Sequence, residues 1–135
     1  MTPPVFLDRN LNALKRYLPL VFEWLTACNL TPELRLMTNR RGEVDWPLPS
    51  GKGLFDSIQP NSYYDSWIPR ENAETGATVI VGCNVGYGVN HVLTLTPDAH
   101  KVIVVDPRAE MVTACLSQTD YSQVIASGRL LLLPP

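Results

Sequence analysis

Long apolar runs are missing from this chain. No stretch of about 18 or more apolar residues occurs in its 135 residues, and no charged leader precedes an apolar segment at its start. The expectation is a cytoplasmic chain without a membrane partner. Basic runs are missing too, since the net charge is -2 and Arg40-Arg41 is an isolated pair. Nothing here can neutralise a row of phosphates, which argues against nucleic acid as a partner. Cysteine is sparse: Cys28, Cys83 and Cys115 are far apart, odd in number and without histidines at ligand spacing. That excludes a disulfide framework and a zinc knuckle, and the three are read as free, mostly buried thiols in a reducing compartment. His91 and His100 stand alone as well, as expected for a helix surface or a core edge rather than a metal site.

What is present is an ordinary globular composition, 45% hydrophobic and 18% charged, enough for one domain with a sizeable core. Its two parts differ in character. In residues 1–76, Leu7, Leu11, Leu14, Leu18, Val21, Phe22 and Leu25 recur at helical steps of three and four. Asp8 is placed to cap that helix. Pro19 lacks an N–H and clashes with the preceding turn, so it begins a second helix or a kink. From Leu34 onward the period changes to two: Leu34 and Leu36 alternate with Arg35 and Met37. Beyond "NRRG", Val44, Trp46 and Leu48 alternate with Asp45 and Pro47. Gly42 supplies the positive φ of a hairpin, and Pro47 and Pro49 place the returning strand at an edge. Residues 50–72 read as loop. Gly51 to Gly53 lack Walker spacing and form a turn, while Tyr63, Tyr64 and Trp67 serve either as a binding surface or as anchors of the loop to the core.

Residues 77–135 are more regular. "ATVIV" (77–81), "KVIVV" (101–105) and "RLLLL" (129–133) are continuous apolar runs, expected to be parallel strands buried on both faces. Helical segments fit around 87–95, 108–118 and 120–126, with Pro97 stopping the first and Gly128 ending the last. The fold class is therefore α/β: a Rossmann-like βαβαβ half, preceded by helices and a β-hairpin and expected to pack with them into one compact domain. Such a sheet normally continues past its third strand, which leads to the expectation of a fragment of a longer protein.

The chemically suggestive stretch is "TVIVGCNVGYGVNHVLTL", residues 78 to 95. A loop that leaves a buried strand and opens a helix presents backbone N–H groups and the positive end of the helix dipole to a ligand. Gly82, Gly86 and Gly88 give GxxxGxG, not the dinucleotide fingerprint GxGxxG, so NAD is weakly supported. With Asn84 standing in for a glycine, as its tolerance of the left-handed region permits, Gly82-x-Asn84-x-Gly86 reads as the GxGxG form of S-adenosylmethionine-dependent methyltransferases. Asp106 ends the second strand, where nucleotide-binding folds place an acid on a ribose. It serves equally as a helix N-cap with Pro107 at the first helical position. Ligand binding and a purely structural turn stand level. No Ser/His/Asp set, HExxH, catalytic carboxylate pair or phosphate clamp assembles from the rest, so no catalytic residue and no metal ligand is nominated.

Six stretches together, "NLNALKRYLPLV", "LRLMTNRRGEVDWPL", "NSYYDSWIPRENAE", "VIVGCNVGYG", "VIVVDPRAEMV" and "ASGRLLLL", resemble in order the N-terminal domain of the motility accessory factor (Maf) glycosyltransferases. These sit in a wider family related to the MptE-type archaeal 6-hydroxymethylpterin diphosphokinase. The resemblance spans roughly residues 8 to 134, and its order and spacing carry it more than any one motif. It implies a Rossmann-like domain of a protein that transfers pseudaminic or legionaminic acid from CMP-activated donors to flagellin Ser/Thr. The transferase site is implied to lie in a following domain, so this part is accessory and non-catalytic. The family's GxGxGY loop is matched by Gly82, Gly86 and Tyr87, with Asn84 departing; Asp106-Pro107 and Tyr64-Asp65 match as well, while "SWIPREN" departs. The residues implied to bind a nucleotide or S-adenosylmethionine are Gly82, Asn84, Gly86, Tyr87, Gly88 and Asp106. Alternatives are a methyltransferase-like domain and a pterin diphosphokinase relative. The implied partners are further domains of the parent and flagellin, with self-association through an open sheet edge as a further expectation.

Overall fold

The structure, a computed structural model, describes residues 5–28, 35–69, 71 and 73–135. Helix α1 (Val5–Tyr17) lays Leu7 and Leu14 into the core. Asp8 lies inside its first turn and is not its cap. Leu18 leaves helical geometry at φ -135°, and Pro19 opens α2 (Pro19–Ala27) as its first residue, where a missing N–H costs no hydrogen bond. Thus the proline starts a helix, as expected.

The hairpin is shorter than the period-two pattern implies. Strands β1 (Met37–Thr38) and β2 (Val44–Asp45) pair antiparallel over two residues each, around a turn with Gly42 at φ +81°. Leu34 lies outside the described residues. The alternation sets Asp45 opposite the apolar set of the strand, yet Asp45 is completely buried. Pro47 forms only an isolated bridge to Gly53. The expected 50–72 loop also holds a short helix, α3 (Pro60–Tyr64), and a 3-10 turn over Asp65–Trp67. Pro60 pre-sets its first turn and the Gln59 side chain accepts the Ser62 N–H.

Strands β3 (Ala77–Val81), β4 (Lys101–Val105) and β5 (Leu130–Leu133) form a parallel sheet in the order β3-β4-β5. Helix α4 (Tyr87–Leu95) joins the first two strands. Helices α5 (Ala109–Gln118) and α6 (Ser122–Ala126) join the next two. Pro97 follows an extended Thr96 that ends α4, and Gly128, at φ +77°, follows α6. A mixed α/β fold with a Rossmann-like half is therefore present.

One expectation fails. The strands are not buried on both faces: Ile80, Val102, Val104, Leu130 and Leu132 are buried beneath the helices, whereas Val79 and Val81 are 59% and 78% exposed. A continuous apolar run does not reveal whether a second layer exists to cover it. The two sequence halves share one core nonetheless. Asn10 of α1, fully buried, donates to the Leu116 and Thr119 carbonyls and accepts the Tyr121 N–H, each at 2.7 Å. Such a completely satisfied buried amide ties α1 to the end of α5. His100 is buried rather than at an edge, held by Thr78 Oγ1 at 2.7 Å and the Ala73 carbonyl at 2.8 Å. No described helix is long and apolar enough to cross a membrane.

Candidate functional site

The glycine loop runs from the end of β3 to the start of α4 and faces the tip of β4, as a Rossmann-like half requires. Gly82 leaves the strand at φ +87°. After Cys83, three consecutive residues adopt positive φ: Asn84 at 38°, Val85 at 67° and Gly86 at 101°. These reverse the chain within one tight 3-10 turn. Glycine and asparagine tolerate that region, but a β-branched valine there is strained by about 1–3 kcal/mol. Val85 is held in place by burial of its side chain and by donation of its N–H to Met111 Sδ at 3.4 Å.

The spaces left by the missing side chains are filled from within. A Cβ on Gly86 would lie 2.7 Å from Tyr121 Oη and 3.0 Å from Cys115 Sγ. One on Gly88 would lie 2.7 Å from the Trp67 ring and 2.9 Å from that of Tyr64. Gly82 faces Arg108 Nη2 at 3.5 Å. Glycine is thus required at 86 and 88 by close packing of α4 on its neighbours. Tyr87 is used structurally as well: its hydroxyl donates to the Val44 carbonyl at 2.6 Å and its ring meets Phe55 edge to face. Tyr64 is buried against Trp67 and Phe55, so it anchors the preceding segment, while Tyr63 is half exposed. Burial pushes the Tyr64 hydroxyl up to about 12.

Asp106 sits where the ribose acid of a nucleotide fold belongs, but its oxygens are taken. Oδ1 accepts the Arg108 N–H at 3.0 Å and Nε at 2.9 Å, and Oδ2 accepts Arg108 Nη2 at 2.8 Å, the Cys83 N–H at 3.0 Å and the Cys83 thiol at 3.4 Å. Its side chain has no exposure, whereas that of Arg108 is half exposed. Burial works to raise its pKa, but the hydrogen bonds from Arg108 and Cys83 outweigh it and hold the carboxyl below the ordinary range. Asp106 is not the N-cap of α5. Arg108 occupies that position in extended geometry, and the carboxylate instead closes a turn onto the Arg108 N–H. Arg108 Nη2 also donates to Asn84 Oδ1 at 3.0 Å. Asn84 therefore holds the guanidinium against the loop, a task no glycine could perform.

Two of the cysteines are neighbours, contrary to their separation in sequence. The Cys83 and Cys115 thiols lie close together beneath the loop, and Cys115 donates to Tyr121 Oη at 3.6 Å. That thiol contact, burial and the nearby Asp106 charge all push Cys83 up, so it is an inert packed thiol. Cys28 is exposed.

All six expected site residues thus come together at the tip of the sheet. Sequence reasoning missed Arg108, whose signal was its place two residues after the acid in "DPR", and Tyr121, which carries no local signal. The larger described grooves lie elsewhere. One, of about 460 Å³, is lined by Asn61, Tyr87, Asn90, His91, Thr94 and Leu95; another, of about 420 Å³, runs between α4 and α6. Tyr87 is the only expected site residue in either lining. In the first, His91 Nε2 is buried without a hydrogen-bond partner among the described residues, 3.5 Å from Asp65 Oδ1. Among the described residues no three His, Cys, Asp or Glu side chains stand close enough to hold a metal.

No family model matches the chain, and no curated protein matches it. In fold it is similar to the solved structure of a Maf glycosyltransferase from Magnetospirillum magneticum AMB-1. The TM-score is 0.68 at 16% sequence identity, over 98% of this chain and 28% of that one. The likeness extends through helices, hairpin and sheet alike, and it establishes the fold. This chain spans little more than a quarter of the length of the protein it resembles.

Proposed function

We propose that this chain is a Rossmann-like accessory domain of the Maf glycosyltransferase type, without a transferase site of its own. The observation that carries the reading is the fold likeness, which takes in nearly the whole of this chain and only 28% of a Maf glycosyltransferase. The geometry of the glycine loop supports the accessory part. A nucleoside recognised by a Rossmann-like half needs a free carboxylate for its ribose and an open backbone for its phosphates. Here Arg108 holds Asp106, and the space beside Gly86 is filled by Tyr121 and Cys115. The loop serves as a rigid corner that packs α4, and the domain serves as scaffold and acceptor-side surface. In this reading the parent activity is transfer of a nonulosonic acid from a CMP-activated donor to flagellin, with the catalytic groups in a following domain.

Calorimetric titration with CMP, CMP-pseudaminic acid and S-adenosylmethionine tests this. No heat is expected with any of them, and no sugar should reach flagellin when the chain is incubated with flagellin and the CMP-sugar. Micromolar binding of the CMP-sugar, or transfer by the chain alone, would overturn the accessory assignment. A methyltransferase-like reading is favoured by one observation, the position of Asp106 at the tip of β4 opposite the glycine loop. Micromolar binding of S-adenosylmethionine that is lost in Asp106→Ala would establish it instead.

A further inference from the structure

Among the described residues, His91 Nε2 is the single buried side-chain nitrogen or oxygen without a hydrogen-bond partner. Folded proteins rarely leave such an atom idle. His91 lies on α4 and forms part of the wall of the groove of about 460 Å³ that α4 makes with α3, a volume within the usual range of about 300–1,000 Å³ for small-molecule sites. Nε2 stands 3.5 Å from Asp65 Oδ1 without the alignment of a hydrogen bond. A carboxylate at that distance favours the neutral ring with its proton on Nε2, which leaves the lone pair on Nδ1. Nδ1 is not among the buried orphan atoms and keeps its contact with the groove. His91 thus offers the groove an acceptor, with Asp65 behind it fixing the tautomer.

We propose that this groove binds a small neutral molecule rich in hydroxyl groups, a hexose or cyclitol ring. Three polar groups can read it. His91 Nδ1 accepts from a hydroxyl; Thr94, on the same face of α4 one turn further on, supplies an exposed hydroxyl; Asn61 of α3 supplies an exposed amide that both donates and accepts. The other lining groups give shape rather than polar contact. Asn90 is occupied at both ends, accepting the Tyr121 hydroxyl and donating to Thr119 Oγ1 at 3.0 Å. The Tyr87 hydroxyl is spent on the Val44 carbonyl, so its ring and the half-exposed Leu95 form an apolar wall for the C–H face of a ring. Charge selects as well. No lysine or arginine lines the groove, and the nearest carboxylate, Asp65, would repel an anion. Phosphates and acidic sugars are therefore the wrong ligands. The site lies apart from the glycine loop, so it stands whether or not the chain is accessory to a transferase.

Amide NMR titration of the whole chain tests this with rings that differ mainly in charge: glucose and myo-inositol as neutral probes, glucuronate as the anion and glucosamine as the cation. Glucose or myo-inositol should give saturable shifts centred on Asn61, His91 and Thr94, with a Kd of about 1–10 mM, as three polar contacts in an open groove allow. Glucuronate and glucosamine should each bind at least about fivefold more weakly. Thr94→Val removes one exposed hydroxyl without disturbing the core, so it should keep the wild-type circular dichroism spectrum and weaken glucose about fivefold. The ring nitrogen shifts of His91 should show the proton on Nε2, with the Nδ1 signal moving as glucose is added. No saturable shift with either neutral ring up to about 100 mM would overturn the proposal. So would glucuronate or glucosamine binding as tightly as glucose, a Thr94→Val affinity equal to wild type, or a His91 proton on Nδ1.

Discussion

Two buried carboxylates organise this molecule, and they are satisfied in opposite ways. Asp45, in the hairpin half, has no exposure and meets only neutral donors: Asn39 Nδ2 at 2.9 Å, the Phe55 N–H at 2.9 Å and the Trp46 N–H at 2.7 Å. Asp106, in the sheet half, is as deeply buried but carries a half-exposed arginine across both oxygens. The first is a structural hub with no route to solvent. The second keeps one replaceable partner at the surface, so it alone has the layout of a site, and Arg108 is what closes it. Gly53 shows how tightly the first is enclosed, since a Cβ there would lie 2.3 Å from Asp45 Oδ2.

The largest effect is expected at the hub. Asp45→Ala strands the Asn39 amide and the Trp46 and Phe55 N–H groups inside the protein, and unpaired buried donors should cost about 3–5 kcal/mol in all. Urea unfolding should show the midpoint falling steeply, by a large part of the whole stability of such a domain. A loss below about 1 kcal/mol would mean that water reaches these donors and that the contrast with Asp106 is not one of burial.

Arg108→Ala should be milder, about 1–2 kcal/mol at pH 7, because Asp106 retains the Cys83 and residue-108 N–H donors and because the lost guanidinium is half exposed. The pH dependence has a definite sign. Folding lowers the Asp106 pKa below its ordinary 3.8, so its contribution is present above 3.8 and is lost as pH falls through the lower folded value. The gap between wild type and Arg108→Ala should therefore narrow as unfolding is followed from pH 7 to pH 2. A gap that stays constant would assign the arginine a packing role rather than an ionic one.

Much of the sheet half was legible because its signals are local. Apolar runs marked β3, β4 and β5 to within a residue, and Pro19, Gly42 and Gly128 marked turns through their own backbone limits. The alternation at Val44–Asp45–Trp46 misled because a carboxylate normally seeks water. Only the fold brings Asn39 and the Phe55 N–H around Asp45. The closure of the glycine loop was equally hidden. Gly86 reads as an opening for a ligand until Tyr121 arrives from 35 positions away in the chain to fill it. The neighbouring thiols Cys83 and Cys115 and the uncovered face at Val79 and Val81 also depend on what packs where, which periodicity does not encode.

The smallest stability change should come from Asn84→Gly, and it is the most informative about the loop. Glycine relieves the left-handed strain at φ 38° but removes the Asn84 Oδ1 acceptor of Arg108 Nη2. These effects oppose, so stability should shift by no more than about 1 kcal/mol in either direction. The arginine, however, loses the anchor that holds it against the loop. Its side chain should become more mobile, which NMR relaxation at Arg108 Nε would register as a drop in order parameter. If Asn84 is what keeps Asp106 shut, this single change to the GxGxG form should also produce nucleotide or S-adenosylmethionine binding where the wild type gives no heat. If the order parameter falls and binding stays absent, the seal lies with Tyr121 and Cys115 at Gly86, and the loop is a packed corner whatever residue stands at 84.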